Sequence, residues 1–492
     1  MRYLPLSIII FLLIGVNLHA SDFGDGSDGA LLVVDTVYID NIKTVMSQTS
    51  HSGEPIVYVE SETGFQNGQL ILIIQMLGDS TGIYEEAEII AVNSGWLLLG
   101  NNLVHTYVND DTSKAQILKI PQYTNVTIFT NGVLTCSDWD SETGGIIYFK
   151  VSQDLTVNGL INASGKGYLG SNGSVGGTGG TGGSGGAGGS CEGSKHGGAG
   201  NFGTGSGQGG DRAPNSWGES YMGGYGGDGG AYGNNGSTGD LADVPSGVGY
   251  DGTLATNASS INFSPFLRFG SGGSGGTGGT GGSGAGGGGG GGRHYSCING
   301  SAGSDGGLGG NGGTGGTGGD GGGIIYLHCN SLIGDGQFIS NGDSGDSSDI
   351  GLAGLTGGGG GNGSQHFSGS NGGGGGGGDG ASGGNGGEGG NGGAGGSIYL
   401  LTSISTSFAN FSVTAGTGVT GSDGGSGGAG GGGGNGAESG SSGAQGPTGT
   451  DGGVGISGTE GIIIIENLDP PPVIPQNLKA VFGNQQITLI WN

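Results

Sequence analysis

Positive charge is scarce in this chain: 11 Lys and Arg stand against 39 Asp and Glu, for a formal net charge of -28. A surface of that sign repels phosphate backbones, and nucleic-acid binding needs clustered Lys and Arg, so that class of partner is excluded. The same balance suits solubility outside a cell. Hydrophobic residues reach only 32% and gather in the first third and a few short runs, so a conventional core is expected over residues 21–165 and not in the remainder. No segment keeps a helical period. Past the first 20 residues, none approaches membrane-spanning length. The one long apolar run, Leu4 to Leu18, follows Arg2 and ends at Ala20 before the polar stretch from Ser21 to Gly29. That is the pattern of a secretory signal peptide, with an uncleaved N-terminal anchor as the alternative. The expected location is secreted, extracellular or cell-surface.

Glycine supplies 137 of the 492 residues. Tracts from Val175 to Ser190, Ser271 to Ser283, Leu308 to Gly322, Ser382 to Ala394 and Asp423 to Ala429 repeat X-Gly-Gly in register. A linker has no need of a period of three, whereas an extended left-handed helix turns once every three residues. Two faces then carry only hydrogen, and backbones can approach through them. The tracts are expected to form polyglycine-II helices. Collagen is excluded, because its triplet holds one glycine with frequent proline, and this chain has 11 prolines. Only Gly443 to Gly452 keeps a one-glycine period.

Over residues 21–143, short β-branched runs such as Leu70 to Met76, Ala87 to Val92 and Val126 to Phe129 are separated by turn residues such as Asn67-Gly68 and Asn131-Gly132. They predict an all-β sandwich or barrel-like domain. Glu85, Glu86 and Glu88 open one of these runs and read as its solvated edge. A motif then recurs: Gly144-Gly-Ile-Ile-Tyr-Phe149, Gly322-Gly-Ile-Ile-Tyr-Leu327, Gly395-Gly-Ser-Ile-Tyr-Leu400 and, in part, Gly461 to Ile465. Each full copy leads through a turn to a second short strand and then to a glycine tract. The spacing is irregular, so no single rung length repeats, but like is expected to stack on like. The fold class is therefore all-β: the N-terminal domain, then over 144–468 a glycine-rich domain of stacked β-strands and polyglycine-II helices. A Pro-rich linker covers 469–475.

The tracts are interrupted by chemically distinctive stretches. Residues 191–265 hold Trp217, Tyr221, Tyr225 and Tyr232; Arg293, His294 and Tyr295 sit in a second break, and His366 and Phe367 in a third. These are the candidate binding residues, with a local core as the alternative reading of the aromatics. Cys191 and Cys297 are candidate disulfide partners in an exported chain. Joined by His196 and His294, they also offer a two-Cys, two-His zinc set. Cys136 and Cys329 lie near the strand motifs and read as buried. Calcium is a candidate at Gly24 to Gly29, against the alternative of a solvated acidic turn; no other cofactor is expected. No nucleophile elbow, phosphate loop or paired catalytic acids stand in a fitting context.

Gly24 to Gly29, Gln75-Met76, Tyr84-Glu85, Pro121-Gln-Tyr123, Trp139, Gly144 to Tyr148, Asn162 to Gly165 and Phe269 to Gly273 together resemble a family of secreted glycine-rich bacterial surface proteins. That family implies no assigned activity. The tracts with intervening loops are also similar in style to glycine-rich tip adhesins of tailed bacteriophages, which present receptor-binding loops; the export signal departs from them. Residues 476–492, through Leu478, Ile487, Leu489 and Trp491, resemble the opening of a fibronectin type III domain. The expected function is a noncatalytic surface or adhesion protein whose loops meet a glycan, surface or protein partner. The alternatives are an extracellular carbohydrate-active enzyme or carbohydrate-binding protein, and an ice-binding protein using Thr178, Thr181, Thr277, Thr280, Thr314 and Thr317.

Overall fold

The structure is a computed structural model that describes residues 23–78, 80–187, 269–285, 301–362, 375–405, 410–435, 439–467, 479–483 and 486–490. The described chain is all-β, and none of its helices is long and apolar enough to cross a membrane. Strands β1 (Ala30–Val33) and β2 (Thr36–Tyr38) open it. They are followed by β3 (Lys43–Val45), β4 (Ile56–Tyr58), β5 (Leu70–Leu77), β6 (Tyr84–Asn93), β7 (Trp96–Leu99) and β8 (Lys114–Lys119). Then come β9 (Gln122–Tyr123), β10 (Asn125–Ile128), β11 (Val133–Thr135), β12 (Ile146–Val157) and β13 (Leu160–Asn162). The glycine-rich part adds β14 (Ile324–Ile333), β15 (Gln337–Ile339), β16 (Ser397–Ser405), β17 (Asn410–Ser412) and β18 (Ile462–Asn467). A separate antiparallel pair, β19 (Lys479–Gly483) and β20 (Gln486–Ile490), ends it.

The strands divide by chemistry of connection. β3 to β8, joined by short turns, make a six-stranded antiparallel sheet in the order β3-β8-β5-β6-β7-β4. The long strands form a parallel seven-stranded sheet, β1-β10-β12-β14-β16-β18, with β9 paired to β12. The short strands form a second parallel sheet of five, β17-β15-β13-β11-β2. Both parallel sheets draw strands from either side of residue 143. The recurring motif is in register: Ile147, Ile325, Ile398 and Ile463 align, as do Tyr148, Tyr326, Tyr399 and Ile464.

That register corrects the expectation that residues beyond 165 lack a conventional core. Ile325, Leu327, Leu332, Phe338, Ile398 and Leu400 are buried with Val33, Ile128, Leu134, Phe149 and Ile161 in one cluster between the two parallel sheets. Each glycine-rich repeat supplies only a few aliphatic residues, but stacking pools them. The opposite face of the long-strand sheet packs through Tyr148, Tyr326 and Tyr399 against Leu72, Ile74 and Leu118 of the antiparallel sheet. The turn between β14 and β15 needs Gly334, whose φ is +106° and whose Cβ would stand 2.2 Å from the Val157 carbonyl oxygen.

Between the strands run extended tracts, here T1 (168–187), T2 (269–285), T3 (301–322), T4 (340–362), T5 (375–396), T6 (413–435) and T7 (439–461). Their backbone hydrogen bonds repeat every third residue. T3 donates to T1 from Gly309, Gly312 and Gly315 to Gly180, Gly177 and Ser174, at 2.8–2.9 Å. T5 is the most enclosed tract. Its successive residues Gly383, Gly384 and Asn385 donate to Pro447 of T7, Leu352 of T4 and Thr280 of T2, at 2.9–3.0 Å. It also accepts from Gly313 of T3 and Gly425 of T6. This is how extended helices of three residues per turn bond side by side, one neighbour per face.

The tracts and strands are one continuous set of limbs. T3 descends into β14, which turns into β15, which ascends as T4; T5, β16, β17 and T6 repeat the path, and T7 descends into β18. Limbs running the same way bond in parallel, as in T3 to T5 and T5 to T7, and opposed limbs bond antiparallel, as in T4 to T5. The pairing of β14 with β16 passes directly into that of T3 with T5, where the Gly322 amide donates to the Ala394 carbonyl at 2.9 Å.

Tract contacts leave no room for side chains on the facing rows. A Cβ on Gly387 would lie 2.1 Å from the Thr314 carbonyl oxygen, whereas a Cβ on Gly432 would meet nothing within 4 Å. Gly387→Ala is therefore expected to destabilise the bundle by at least about 2 kcal/mol, because backbone cannot move aside as a side-chain tip can. Gly432→Ala should be neutral or stabilise by up to about 1 kcal/mol. Paired urea unfolding curves check both; equal effects would refute the close-contact account.

Candidate functional site

The limbs bring one set of chain connections to a common end. At the end of the bundle far from the strands, Gly303 N–H donates to Gly186 O and Ser301 N–H to Asn362 O, at 2.8 and 2.9 Å. Gly375 N–H donates to Gly361 O and Gly440 N–H to Gly434 O, at 2.8 and 2.9 Å, and Asn435 N–H reaches Asn362 Oδ1 at 2.8 Å. Gly183 N–H to Ala285 O, at 2.8 Å, adds the end of T2. T3, at the ~3.1 Å rise of an extended three-fold helix, carries this end roughly 65 Å from the start of β14. Residues 187, 285, 301, 362 and 375, which flank the stretches bearing the candidate residues, thus converge. T2, by contrast, begins at the strand end: Tyr168 N–H donates to Gly270 O at 3.1 Å.

Trp217, Tyr221, Tyr225, Tyr232, Arg293, His294, Tyr295, His366 and Phe367 lie outside the described residues, as do Cys191, His196 and Cys297. Cys136 and Cys329 are both buried free thiols. Burial pushes the Cys329 thiol up to about 12, with a Thr402 hydrogen bond acting the other way, so it stays protonated at neutral pH. In the Gly24 to Gly29 segment, Asp28 is already engaged: Lys119 Nζ donates to Oδ1 at 2.5 Å and the Gln122 amide to Oδ2 at 2.7 Å. Asp25 Oδ1 accepts from the Ser27 amide at 2.8 Å. Among the described residues no group of three or more His, Cys, Asp or Glu is arranged to hold a metal ion. The threonines lie on T1, T2 and T3. Thr178 and Thr181 are exposed, while Thr280 Oγ1 accepts from Asn385 Nδ2 at 2.6 Å and Thr317 donates to Asp346.

Two constellations escaped the sequence reading. The first anchors the tracts. Trp139, Tyr168 and Phe269 meet edge to face with centroids 5.1–6.0 Å apart, and Tyr168 donates its hydroxyl to the Met76 carbonyl. T1 and T2 are thereby pinned at their starts to the antiparallel sheet. The second is a ring ladder. Tyr148, Tyr326 and Tyr399 stack at 4.3 and 4.8 Å, with His328 beside them and Tyr84 meeting Tyr326 at 5.7 Å. The recurrence of tyrosine after Gly-Gly-Ile-Ile was the visible signal for it.

Glu86 joins this ladder and corrects the reading of the three glutamates as a solvated edge. Its carboxylate accepts from the Tyr148 hydroxyl and, at 2.6 Å, from Lys150 Nζ, a side chain only 5% exposed. Burial, then the Glu86 charge, hold the Tyr148 hydroxyl well above the usual phenol range. Glu85 faces the other way and accepts the Val104 and His105 amides. Alternation along β6 sends one glutamate to each side. Near the foot of the bundle, burial raises the carboxyl of Asp320, the Gly170 amide opposes this, and Asp343, Asp138 and Asp346 raise it further. Burial raises Asp343 too, with Lys166 opposing.

Glu86→Ala leaves the Lys150 ammonium desolvated without its carboxylate, and is expected to cost about 3 kcal/mol in urea unfolding. Lys150→Met in the same background should recover much of that loss. A raised carboxyl pKa means that the folded chain binds its proton more readily than the unfolded chain. The stability from Asp320 is therefore complete below the unfolded value near 3.8 and is lost as pH rises through the higher folded value. Asp320→Asn, which keeps an acceptor for Gly170, should stabilise at pH 7 and flatten the dependence of the urea midpoint on pH between 7 and 4. An unchanged pH slope would refute this.

No family model matches the chain, and no curated protein matches it. Two solved structures are similar over limited regions. One is the gp54 tailspike of Acinetobacter baumannii bacteriophage AP22, in complex with A. baumannii capsular saccharide: 11% identity over 28% of this chain and 30% of that one, TM-score 0.15. The other is the gp49 tailspike of Pseudomonas phage LKA1: 14% identity over 25% of this chain and 24% of that one, TM-score 0.14. This chain spans less than a third of the length of either, and likeness at these TM-scores establishes neither fold nor function.

Proposed function

We propose that this chain is an exported, noncatalytic display scaffold of a cell surface. The glycine bundle holds Arg293, His294, Tyr295, His366 and Phe367, with Trp217, Tyr221, Tyr225 and Tyr232, toward a glycan-bearing partner. The observation that carries the reading is the convergence of tract ends at 187, 285, 301, 362 and 375 on the end of the bundle remote from the hydrophobic core. Chemically featureless limbs that return to one place make a frame. The aromatic and His-bearing stretches inserted there are the residue types that stack on sugar rings and bond hydroxyls. The acidic surface favours a neutral partner over an anionic one. The signal-peptide pattern and the Pro-rich linker leading to a fibronectin-like segment fit an extracellular setting.

The test uses the full chain on immobilised bacterial and host polysaccharides. Combined Tyr295→Ala, His366→Ala and Phe367→Ala replacement should lower affinity at least tenfold with no change in unfolding midpoint. The same number of alanines on exposed T7 positions should leave binding intact. Retained binding in the first variant, or release of new reducing ends from any bound polysaccharide, would overturn the reading.

A further inference from the structure

Glycine content per triplet is not uniform along the bundle, and the variation follows position. T5 is buried along nearly its whole length and keeps two or three glycines in each triplet, with Asn385, Glu388 and Asn391 on its one side-chain row. T7 and T4 are different. In T7, Gly443, Gly446, Gly449, Gly452, Gly455 and Gly458 form a single row that is buried or half-buried. Both residues between them are exposed throughout. In T4, Gly342, Gly345, Gly351, Gly354 and Gly357 do the same, with the two intervening rows exposed.

The single glycine row of T7 is the row its neighbours require. A Cβ on Gly449 would stand 2.1 Å from the Gly384 carbonyl oxygen of T5, and a Cβ on Gly427 of T6 would stand 1.8 Å from the Gly446 carbonyl oxygen of T7. Tract-to-tract bonding therefore needs a bare row on the approaching face. The outermost row of T7 carries Gln445, Thr448, Asp451, Val454 and Ser457, and that of T4 carries Ser344, Ser347, Ile350, Ala353 and Thr356. We propose that these side-chain rows close the glycine lattice at its two flanks, so that copies of this chain do not bundle through their tracts.

The physical case parallels that of an unpaired strand edge. An X-Gly-Gly tract facing solvent would offer a bare row with backbone donors and acceptors at a fixed three-residue period. Another copy carries many tracts of the same period, so every copy would be a fitting partner. Edge strands meet this hazard with bulky or charged residues. Stacked-repeat proteins meet it with end units whose outer face differs from the inner repeats. In T7 and T4 every outward position places a Cβ where a second tract's carbonyl would have to sit. The net charge of the chain adds a long-range repulsion, but one that salt screens, whereas the steric bar does not depend on salt.

Sedimentation velocity of the full chain at high salt, over a range of concentrations, tests this. The wild type should sediment as one species. The combined variant Gln445→Gly, Thr448→Gly, Asp451→Gly, Val454→Gly and Ser457→Gly should at least double its sedimenting mass as concentration rises. The same five positions changed to Ala, which lose the same side chains but keep the Cβ, should stay at the wild-type mass. Hydrogen-exchange protection of the T5 and T6 amides reports that the bundle is intact. If the T7 glycine variant loses that protection, the T4 row changed to glycine at Ser344, Ser347, Ile350, Ala353 and Thr356 serves in its place. A protected glycine variant that remains at the wild-type mass overturns the proposal. So does an alanine variant that associates equally, or a wild type that associates through T7 or T4.

Discussion

Everything in the glycine-rich part depends on one close contact, the approach of one tract's α-carbon to the carbonyl oxygen of the next. With a Cβ at Gly387 the gap to the Thr314 oxygen would be 2.1 Å, and the same holds along row after row. Ordering glycine opposes folding more than ordering any other residue. The opposing gain is dense backbone hydrogen bonding, in which T5 uses the amide of each successive residue on a different neighbour. Such a lattice has no hydrophobic core of its own. It stands because strands at one end keep its limbs in register.

The strands accomplish this by pooling small contributions. A single repeat offers a pair of isoleucines, a tyrosine and a short return strand, too little to bury anything alone. Stacked in parallel, these residues make one core between the two parallel sheets and a second against the antiparallel sheet. Trp139, Tyr168 and Phe269 then tie the first two tracts to that foundation, and the Tyr148–Glu86–Lys150 contact ties the two kinds of sheet together. A buried ion pair of this sort is costly to break and contributes modestly to net stability, so its role is to set how the sheets meet.

The architecture separates tasks along its length. Apolar packing holds one end, backbone hydrogen bonding spans the middle, and the connections with the most varied side chains attach at the far end. A frame of this kind tolerates change in its connections, because loops at chain turns carry few of the contacts that define the fold. The one-glycine tracts at the flanks complete the division, facing the bundle with glycine and the solvent with side chains.

The three-residue period, the all-β character and the recurring Gly-Gly-Ile-Ile-Tyr strands were legible in the amino-acid order, because each is a local constraint written in adjacent residues. Two tracts were not. Residues 340–362 and 439–461 carry one glycine per triplet and look unlike the X-Gly-Gly stretches, yet they bond in the same lattice. Their difference makes sense only once their neighbours are known, since a flank tract needs one bare row and an interior tract needs more. The inward turn of Glu86, the pooling of Ile325 and Ile398 into a shared core, and the meeting of residues 187, 285, 301, 362 and 375 at one end likewise arise from pairings across long sequence distances. The order of residues determined which segments could be bare, extended or stranded. Which segment lies beside which, and so which rows had to be glycine, was decided only by the tertiary register that the strands impose.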